Sequence, residues 1–443
     1  MGFHYTELAL AQGLLIIISI YWLLKRNDEL PLLFNALLFY VTSYRYWIVN
    51  QGVSNWINLT RYGLSPVNNE SAADALNYIV TGQIILIAVY MYKQTMFIPK
   101  IEPKQLKLNS FFKWIRPRVL TFGIICLPLS LSARSYTRLQ YLSGKSPAFE
   151  INSYVSMLPM VLIGVATLIL CVWKVGGMPN LLHKITAAIV LAGVVNYSFN
   201  ISGRFQFIGW MATAGIILSS TYQPKLRLGF LTLSAAVGSI YFGIAGALRG
   251  VARGYVSSEE LNTATWMRLF SAEDANMLDG FAMLKEAFTN IVPFRLGMAH
   301  LEILMRPIPR ALWPEKPVGG GYLQQVGLID PTTGSTLGFS PTVFGDFYSE
   351  GGLLGIIIFS VLYGLMFAYI VRLSVKLHPF SGLLVRAVLM SSMVPLLRGG
   401  DLPGIYSWIG MAFWPCFLVI WLRRKELSRN NFENTMKRIY SLK

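Results

Sequence analysis

A basic, proline-rich segment, RPIPRALWPEKP at 306–317, carries the side chains best suited to binding an anion. Arg306, Arg310 and Lys316 supply positive charge, and the closely spaced prolines keep the backbone stiff and extended. A pre-ordered backbone loses little entropy when it binds a multivalent anion. Trp313 offers a flat face on which a sugar ring can stack. The alternative is a rigid elbow between helices that carries surface charges.

Two carboxylates and one histidine near this segment are candidates for a general base, the group that removes a proton from a reacting hydroxyl. Asp346 and Glu350 stand four residues apart at the entry to an apolar run. His300 is the one histidine between residues 248 and 351. Each has a structural alternative, because the acids can pair with arginines and a lone histidine is often a packing residue.

The elements that position these residues are membrane helices. Of the 443 residues, 54% are hydrophobic and 13% are charged, which would leave too much apolar surface exposed on a water-soluble protein. The apolar runs, at about 18 to 22 residues, are long enough to cross a hydrocarbon core as helices. The sequence predicts an all-α polytopic membrane protein with about eleven spans. The predicted spans are 6–24, 31–49, 76–97, 118–133, 154–174, 181–198, 205–222, 227–247, 352–371, 380–397 and 403–422.

The predicted spans divide the chain into four parts. Spans one to eight occupy 1–247, one large loop occupies 248–351, spans nine to eleven occupy 352–422, and a basic tail occupies 423–443. Lysine and arginine cluster in short loops on one side, including KRNDE after span one and QPKLR after span seven, and this bias marks the cytoplasmic side. The C-terminus is therefore predicted inside, and the large loop, with the active site, outside.

Two short helices are predicted within the large loop. The stretch SAEDANMLDGFAMLKEAF opens with Ser271 and Asp274 as a capping-box-like start and then repeats apolar residues at helical spacing. It predicts an amphipathic helix on the outer membrane face or on the helix bundle. The stretch FRLGMAHLEILM predicts a second helix that ends at Pro307.

The predicted outer side is selectively rich in arginine. It carries fifteen of the 38 basic residues, and twelve of those fifteen are arginine. Arginine is favoured over lysine where a planar fork binds carboxylate or phosphate oxygens at two points. The sequence therefore predicts an external anion site, with lipid-headgroup contact or pairing with acids such as Asp401 as the alternatives. The arginines expected to converge at the outer ends of spans are Arg45, Arg204, Arg249, Arg253 and Arg398.

The activated donor is expected to come from the membrane. The chain contains neither a GxxxxGKS phosphate loop nor an Asp-x-Asp pair for a metal-bound nucleotide. A polyprenyl-diphosphate-linked sugar fits, because several arginines can neutralise the leaving diphosphate without a metal. No cofactor and no metal are expected, and the acceptor would be a sugar hydroxyl.

The segment RPIPRALWPEKP followed by SPTVFGDFYSEGGLLG resembles the bacterial O-antigen polymerase, or oligosaccharide repeat-unit polymerase, family, most clearly over 300–355. The resemblance implies a metal-independent glycosyltransferase of the GT-C type in the bacterial inner membrane, with its large loop in the periplasm. Such an enzyme transfers a growing glycan from undecaprenyl diphosphate to the terminal sugar hydroxyl of a new lipid-linked repeat unit. Arginines in the large loop of that family contact the diphosphate. This role carries over to Arg306 and Arg310, and also to Arg249, Arg253 and Arg398.

The expected partners follow from this activity. They are the undecaprenyl-diphosphate-linked oligosaccharide, as donor and as acceptor, the lipid bilayer, and a chain-length regulator protein. No nucleic acid partner is expected, because the net charge of +17 is explained mostly by topology and by attraction to anionic lipids.

The entry to span nine separates polymerases from the related O-antigen ligases. The ligases look similar to this chain around the ExGxxG pattern, formed here by Glu350, Gly352 and Gly355. The ligases, however, place a working histidine about nine residues before the glutamate. Pro341 occupies that position in this chain. The departure favours a polymerase and leaves the identity of the general base open.

Two other functions stay open at the level of sequence. A flippase of lipid-linked oligosaccharide would bind the same lipid, although the mid-span positions are almost free of ionisable groups and no inverted repeat is evident. A lipid-dependent transferase that adds a single sugar would share the same architecture, and only the length of its product would distinguish it.

Overall fold

The computed structural model describes residues 5–57, 65–103, 106, 108–142, 158–198, 204–252, 275–306, 308, 312–313 and 340–427. The regular elements within these ranges are helices. They are α1 (Tyr5–Arg26), α2 (Leu30–Phe39), a π-helical turn (Tyr40–Tyr44), α3 (Arg45–Asn50), α4 (Asn69–Lys93), α5 (Asn109–Leu142), a 3-10 turn (Leu158–Met160), α6 (Val161–Lys174), α7 (Leu181–Ser198), α8 (Arg204–Ser219), α9 (Pro224–Ala252), α10 (Met277–Asn290), α11 (Met298–Met305), α12 (Thr342–Lys376), α13 (Pro379–Arg398) and α14 (Leu402–Leu422).

Several of these helices are long and apolar enough to cross a membrane. Within the described ranges six meet both criteria, namely α1, α4, the part of α5 up to Ala133, α12, α13 and α14. Three shorter apolar helices lie at Val161–Lys174, Leu181–Val195 and Ile208–Ser219. Over the described residues the prediction of an all-helical protein is therefore confirmed, and several of its helices are suited to cross a membrane. A helix lies at each of the eleven predicted places, and the number of crossings stays a prediction.

Local sequence signals explain where several helices begin. Asn68 caps α4 by accepting a hydrogen bond from the backbone N–H of Ser71, whose hydroxyl in turn accepts from the N–H of Asn68. Asp401 caps α14 by accepting from the N–H of Gly404 at 3.1 Å, and Pro403 lies in the first turn, where a missing N–H costs nothing. The LPG sequence after Asp401 therefore sets the start of the last span.

The buried apolar side chains form two clusters. The first joins α4, α10 and α12, and the second joins α5, α6, α13 and α14. Glycines let the helices approach closely, as small residues do between membrane helices. A Cβ at Gly364 of α12 would lie 2.7 Å from the carbonyl oxygen of Leu86 in α4. The first cluster holds the helices that carry the candidate site.

The first helix of the predicted outer loop is buried in the bundle. Helix α10 begins at Met277 and packs against α4 and α12, with Leu278, Phe281, Leu284 and Phe288 fully buried. Of the two positions predicted for it, on the membrane face or on the bundle, the structure shows the second. Its predicted start at Ser271 and Asp274 lies outside the described residues. The second helix, α11, ends at Met305, which confirms the predicted stop before Pro307.

Helix α12 is broken close to where span nine was predicted to begin. Gly351 and Gly352 have non-helical backbone angles, and Gly352 has a φ of +62° and a ψ of −139°, which favours glycine. The short segment from Thr342 to the break belongs to the predicted loop, whereas the long segment after it is apolar. The N–H groups of Arg295 and Leu296 donate to the carbonyls of Ser349 and Glu350, at 2.9 and 3.0 Å. The break thereby ties the residues before α11 to the start of the membrane helix.

Candidate active site

Glu350 lies at the break of α12 and holds the start of α11. Its carboxylate is buried and accepts hydrogen bonds from the backbone N–H groups of Gly297 and Ala299, the latter at 2.9 Å. The N-terminal N–H groups of a helix have no partner within the helix, and a carboxylate there is also stabilised by the helix dipole. Glu350 therefore positions α11, including His300, in addition to any chemical role.

His300 lies between Glu350 and the membrane segment of α12. Its ring stacks on Phe359, with centroids 4.0 Å apart and planes 1° from parallel. Its Nε2 atom is 3.3 Å from the hydroxyl oxygen of Tyr363, and its Nδ1 atom is 3.6 Å from Oε1 of Glu350. The stacking and the two polar neighbours fix the orientation of the imidazole. The structure thus brings together two of the three predicted general-base candidates.

Two tyrosines extend this arrangement. The hydroxyl of Tyr406, in the second turn of α14, donates to the hydroxyl of Tyr363 at 3.1 Å. Sequence reasoning missed both, because each lies within an apolar run and their contact joins residues 43 positions apart. The only available signal is that a hydroxyl buried between membrane helices requires a hydrogen-bond partner.

Asp346 lies one helical turn before Glu350 but binds a different part of the protein. It is buried, and its two carboxylate oxygens accept from the N–H of Gly400 at 2.9 and 3.1 Å. Gly399 has a φ of +68°, and a Cβ there would lie 2.2 Å from the carbonyl oxygen of Thr342. The LLRGGD stretch therefore forms a tight turn that Asp346 holds against the start of α12.

Arg306 is the one arginine of the basic segment whose surroundings the structure describes. It lies just after α11, and its Nη2 atom is 3.7 Å from Oδ1 of Asp401, the residue that caps α14. The side chains of Arg306 and Asp401 are 26% and 39% exposed, so solvent or a ligand can reach both. This contact is the predicted alternative, a pairing of an arginine with Asp401, and it is compatible with ligand binding because the pair is partly open.

The other predicted anion-binding residues fall into three groups. Arg253, Arg310 and Lys316 lie outside the described residues. Arg204 begins α8 and Arg249 lies near the end of α9, but their side chains lie outside the described part of the structure. Arg398 is the last residue of α13 and is half-buried. Trp313 is half-buried, and most of the segment around it lies outside the described ranges.

Arg45, by contrast, does not join an anion site. Its guanidinium is buried and makes two hydrogen bonds of 3.1 Å with the carboxylate of Asp279 in α10. It also donates to the hydroxyl of Ser54 and the carbonyl of Asn55, at 2.8 and 2.7 Å. The expectation that Arg45 converges on an external ligand is wrong, because its fork is occupied by the protein itself.

The acidic and histidine side chains of the site do not form a metal centre in the part of the chain that the structure describes. There, no group of three or more His, Cys, Asp or Glu residues is placed to hold a metal ion. The polar groups of the site are instead paired with backbone N–H groups, tyrosine hydroxyls and arginines.

Comparisons with known proteins assign no family. No family model, no curated protein and no solved structure matches the chain. The resemblance to O-antigen polymerases therefore stays a prediction based on the residues quoted above.

Proposed function

We propose that this protein polymerises lipid-linked oligosaccharide repeat units on the outer face of the bacterial inner membrane. It transfers a growing glycan from undecaprenyl diphosphate to the terminal sugar hydroxyl of a new lipid-linked unit, without a metal. In this proposal the protein is a GT-C-type transferase with eleven spans, a cytoplasmic C-terminus and its large loop in the periplasm. A chain-length regulator protein is a proposed partner.

One observation carries the proposal. The break in α12 gathers a histidine, a carboxylate and a partly exposed arginine around α11, where His300 contacts Glu350 and Tyr363 and where Arg306 faces Asp401. A glycosyl transfer from a diphosphate requires a base for the acceptor hydroxyl and positive charge for the leaving group. The histidine lies near the start of the eight-residue helix α11, and the arginine lies just after its end.

Exposed leucines in and next to α11 suit a lipid-linked substrate. Leu301 and Leu304 lie within α11 and Leu296 lies two residues before it, all three are exposed, and Arg306 follows the last residue of the helix. Exposed leucines on a membrane protein suit hydrocarbon chains, and a neighbouring arginine suits a phosphate group. A polyprenyl diphosphate combines both chemistries.

The proposal predicts that Arg306→Ala abolishes long glycan chains while leaving the protein in the membrane. The variant, with Arg310→Ala beside it, is expressed in a cell that depends on this protein for its surface polysaccharide, and the glycans are separated on a ladder gel. Removing a guanidinium that neutralises the leaving diphosphate should leave only the shortest products. Arg372→Ala is the matched control, because Arg372 lies on α12 and contacts only the exposed carbonyl of Lys93 among the contacts described. A full-length ladder from the Arg306 and Arg310 variants would contradict the proposal.

A flippase is the second candidate, and one observation favours it. Arg386 lies within α13 and is buried, 3.8 Å from Glu29, which also pairs with the buried Arg227 at 2.8 Å. Ionisable groups at such positions often mark a transport path. In this cluster the charges are mutually paired, so a structural role explains them as well. Extension of lipid-linked units by protein in detergent, where there is no second leaflet, would show that transport is not the full activity.

A further inference from the structure

A continuous row of polar side chains joins Glu350 to the second turn of α14. Glu350 faces Nδ1 of His300 at 3.6 Å, Nε2 of His300 lies 3.3 Å from the Tyr363 hydroxyl, and that hydroxyl accepts from Tyr406 at 3.1 Å. Nδ1 of His300 is buried and makes no hydrogen bond of normal length. The row is built from three separate helices, α11, α12 and α14.

The carboxylate of Glu350 orders the protons along the row. Nδ1 of His300 faces Glu350, so the neutral imidazole is favoured with its proton on Nδ1, and Nε2 is left as an acceptor. The Tyr363 hydroxyl can then donate to Nε2 and accept from Tyr406. This tautomer is inferred from the contacts, and a carboxylate behind the ring favours it in the way that second-layer carboxylates orient other histidines.

Glu350 is poorly placed to take a proton from a substrate itself. Its two oxygens already accept the N–H groups of Gly297 and Ala299, and its side chain is buried. Tyr363 is also buried, whereas Tyr406 is partly exposed. Tyr406 and Asp401, the residue that faces Arg306, both lie at the start of α14. The accessible end of the row and the arginine proposed to bind diphosphate therefore meet the same end of that helix.

We infer that Tyr406, Tyr363 and His300 form a proton relay for the acceptor sugar hydroxyl, an inference that rests on the proposed function. The acceptor oxygen bonds to the anomeric carbon of the donor as the bond from that carbon to the phosphate oxygen breaks, and the diphosphate leaves with the electron pair. The acceptor proton moves to the oxygen of Tyr406, the proton of Tyr406 moves to Tyr363, and the proton of Tyr363 moves to Nε2 of His300. The resulting imidazolium is stabilised by Glu350. Tyr406 touches the substrate, and Tyr363 and His300 act through it.

Conservative variants test the relay. Tyr406→Phe and Tyr363→Phe keep the aromatic ring and remove only the hydroxyl. We expect each to lower turnover in extension of a lipid-linked repeat unit by about 100-fold, within the range for loss of general-base assistance, with an unchanged dissociation constant for the lipid. Tyr369→Phe is the matched control, because Tyr369 lies on α12, like Tyr363, and is 67% exposed. Thermal unfolding of each variant checks that the fold is retained.

A spectroscopic readout tests the relay independently of activity. The chain has four histidines, so histidine-selective ¹⁵N labelling gives a small set of signals, and His300→Gln identifies those of His300. We expect Nε2 of His300 to be unprotonated at neutral pH in the native protein, and its shift to change in Tyr363→Phe but not in Tyr369→Phe. A protonated Nε2 in the native protein would overturn the relay.

The outcomes separate the relay from the function. If the native protein extends the lipid-linked unit and both relay variants turn over at the native rate, the relay is wrong and the proposed function stands. If the native protein binds the lipid but does not extend it, the proposed function is wrong. The relay then has no catalytic role and is overturned as well.

Discussion

At the scale of single residues, the same chemistry can serve a ligand or the protein itself. The sequence argument that an arginine fork binds a carboxylate at two points is correct for Arg45, but the carboxylate belongs to Asp279. Likewise, Glu350 has the buried carboxylate expected of a catalytic group, and backbone N–H groups occupy both its oxygens. Sequence identifies what a side chain can bind, whereas only the fold determines which partner is within reach.

Asp28, just after the C-terminal end of α1, provides a pH-dependent test of the structure. It lies in the turn between α1 and α2, and it accepts hydrogen bonds from Tyr90 at 2.6 Å and from the N–H of Leu30 at 3.2 Å. Burial, together with the adjacent Glu29, raises the pKa of Asp28 from 3.8 to about 6. The folded protein therefore binds this proton more tightly than the unfolded chain does.

The sign of the pH dependence follows from this raised pKa. Below about pH 3 Asp28 is protonated in both states, and between pH 3 and pH 6 the unfolded chain ionises first, so the contribution of Asp28 to stability falls as the pH rises. We expect Asp28→Asn to remove this fall, so that the variant gains about 3 kcal/mol relative to the native protein between pH 3 and pH 7. The measurement is the unfolding temperature of both proteins in detergent across that range.

The comparison between native and variant protein is its own control. Burial lowers the pKa of His378 to about 4, which makes stability rise with pH over a similar range. This effect is present in both proteins and cancels in their difference. Unfolding temperatures that change in parallel for the two proteins would contradict the assignment to Asp28.

At the scale of elements, helix positions could be predicted and helix contacts could not. Apolar runs of span length located the helices, and the spacing of Leu278, Phe281 and Phe288 correctly indicated the buried face of α10. The row from His300 through Tyr363 to Tyr406 was not predictable, because it depends on how α11 packs between α12 and α14. No short-range pattern in the sequence encodes that packing.

The break in α12 predicts different effects for two neighbouring glycines. Gly352 has a φ of +62°, and a Cβ there would lie 3.1 Å from the ring of Phe294. Gly352→Ala should therefore destabilise the protein by roughly 1 to 2 kcal/mol and displace α11 with His300. Gly351→Ala is the control, because Gly351 has an extended φ of 177° and no neighbour within 4 Å of a new Cβ.

Thermal unfolding and extension activity of the two glycine variants decide this prediction. Gly352→Ala should unfold at a lower temperature and lose activity, while Gly351→Ala should stay close to the native protein in both. Equal behaviour of the two variants would mean that the left-handed backbone at Gly352 does not maintain the break.

At the scale of the whole molecule, two of the clusters that the described ionisable groups form differ in exposure. Around α11 the charges of Arg306 and Asp401 are partly open, whereas Glu29, Arg227 and Arg386 form a closed and buried cluster. An open cluster can bind a charged ligand, and a closed, paired cluster chiefly connects helices. This difference favours chemistry near α11 over a path for transport through the bundle.

A single incubation tests whether the protein is the proposed metal-independent polymerase. Purified protein in detergent is mixed with a synthetic undecaprenyl-diphosphate-linked repeat unit and a chelator, and products are sized by gel and mass spectrometry. We expect a ladder of whole-unit multiples that persists in the chelator. Tight binding of the lipid with no product, or a product that never exceeds a single addition, would contradict it.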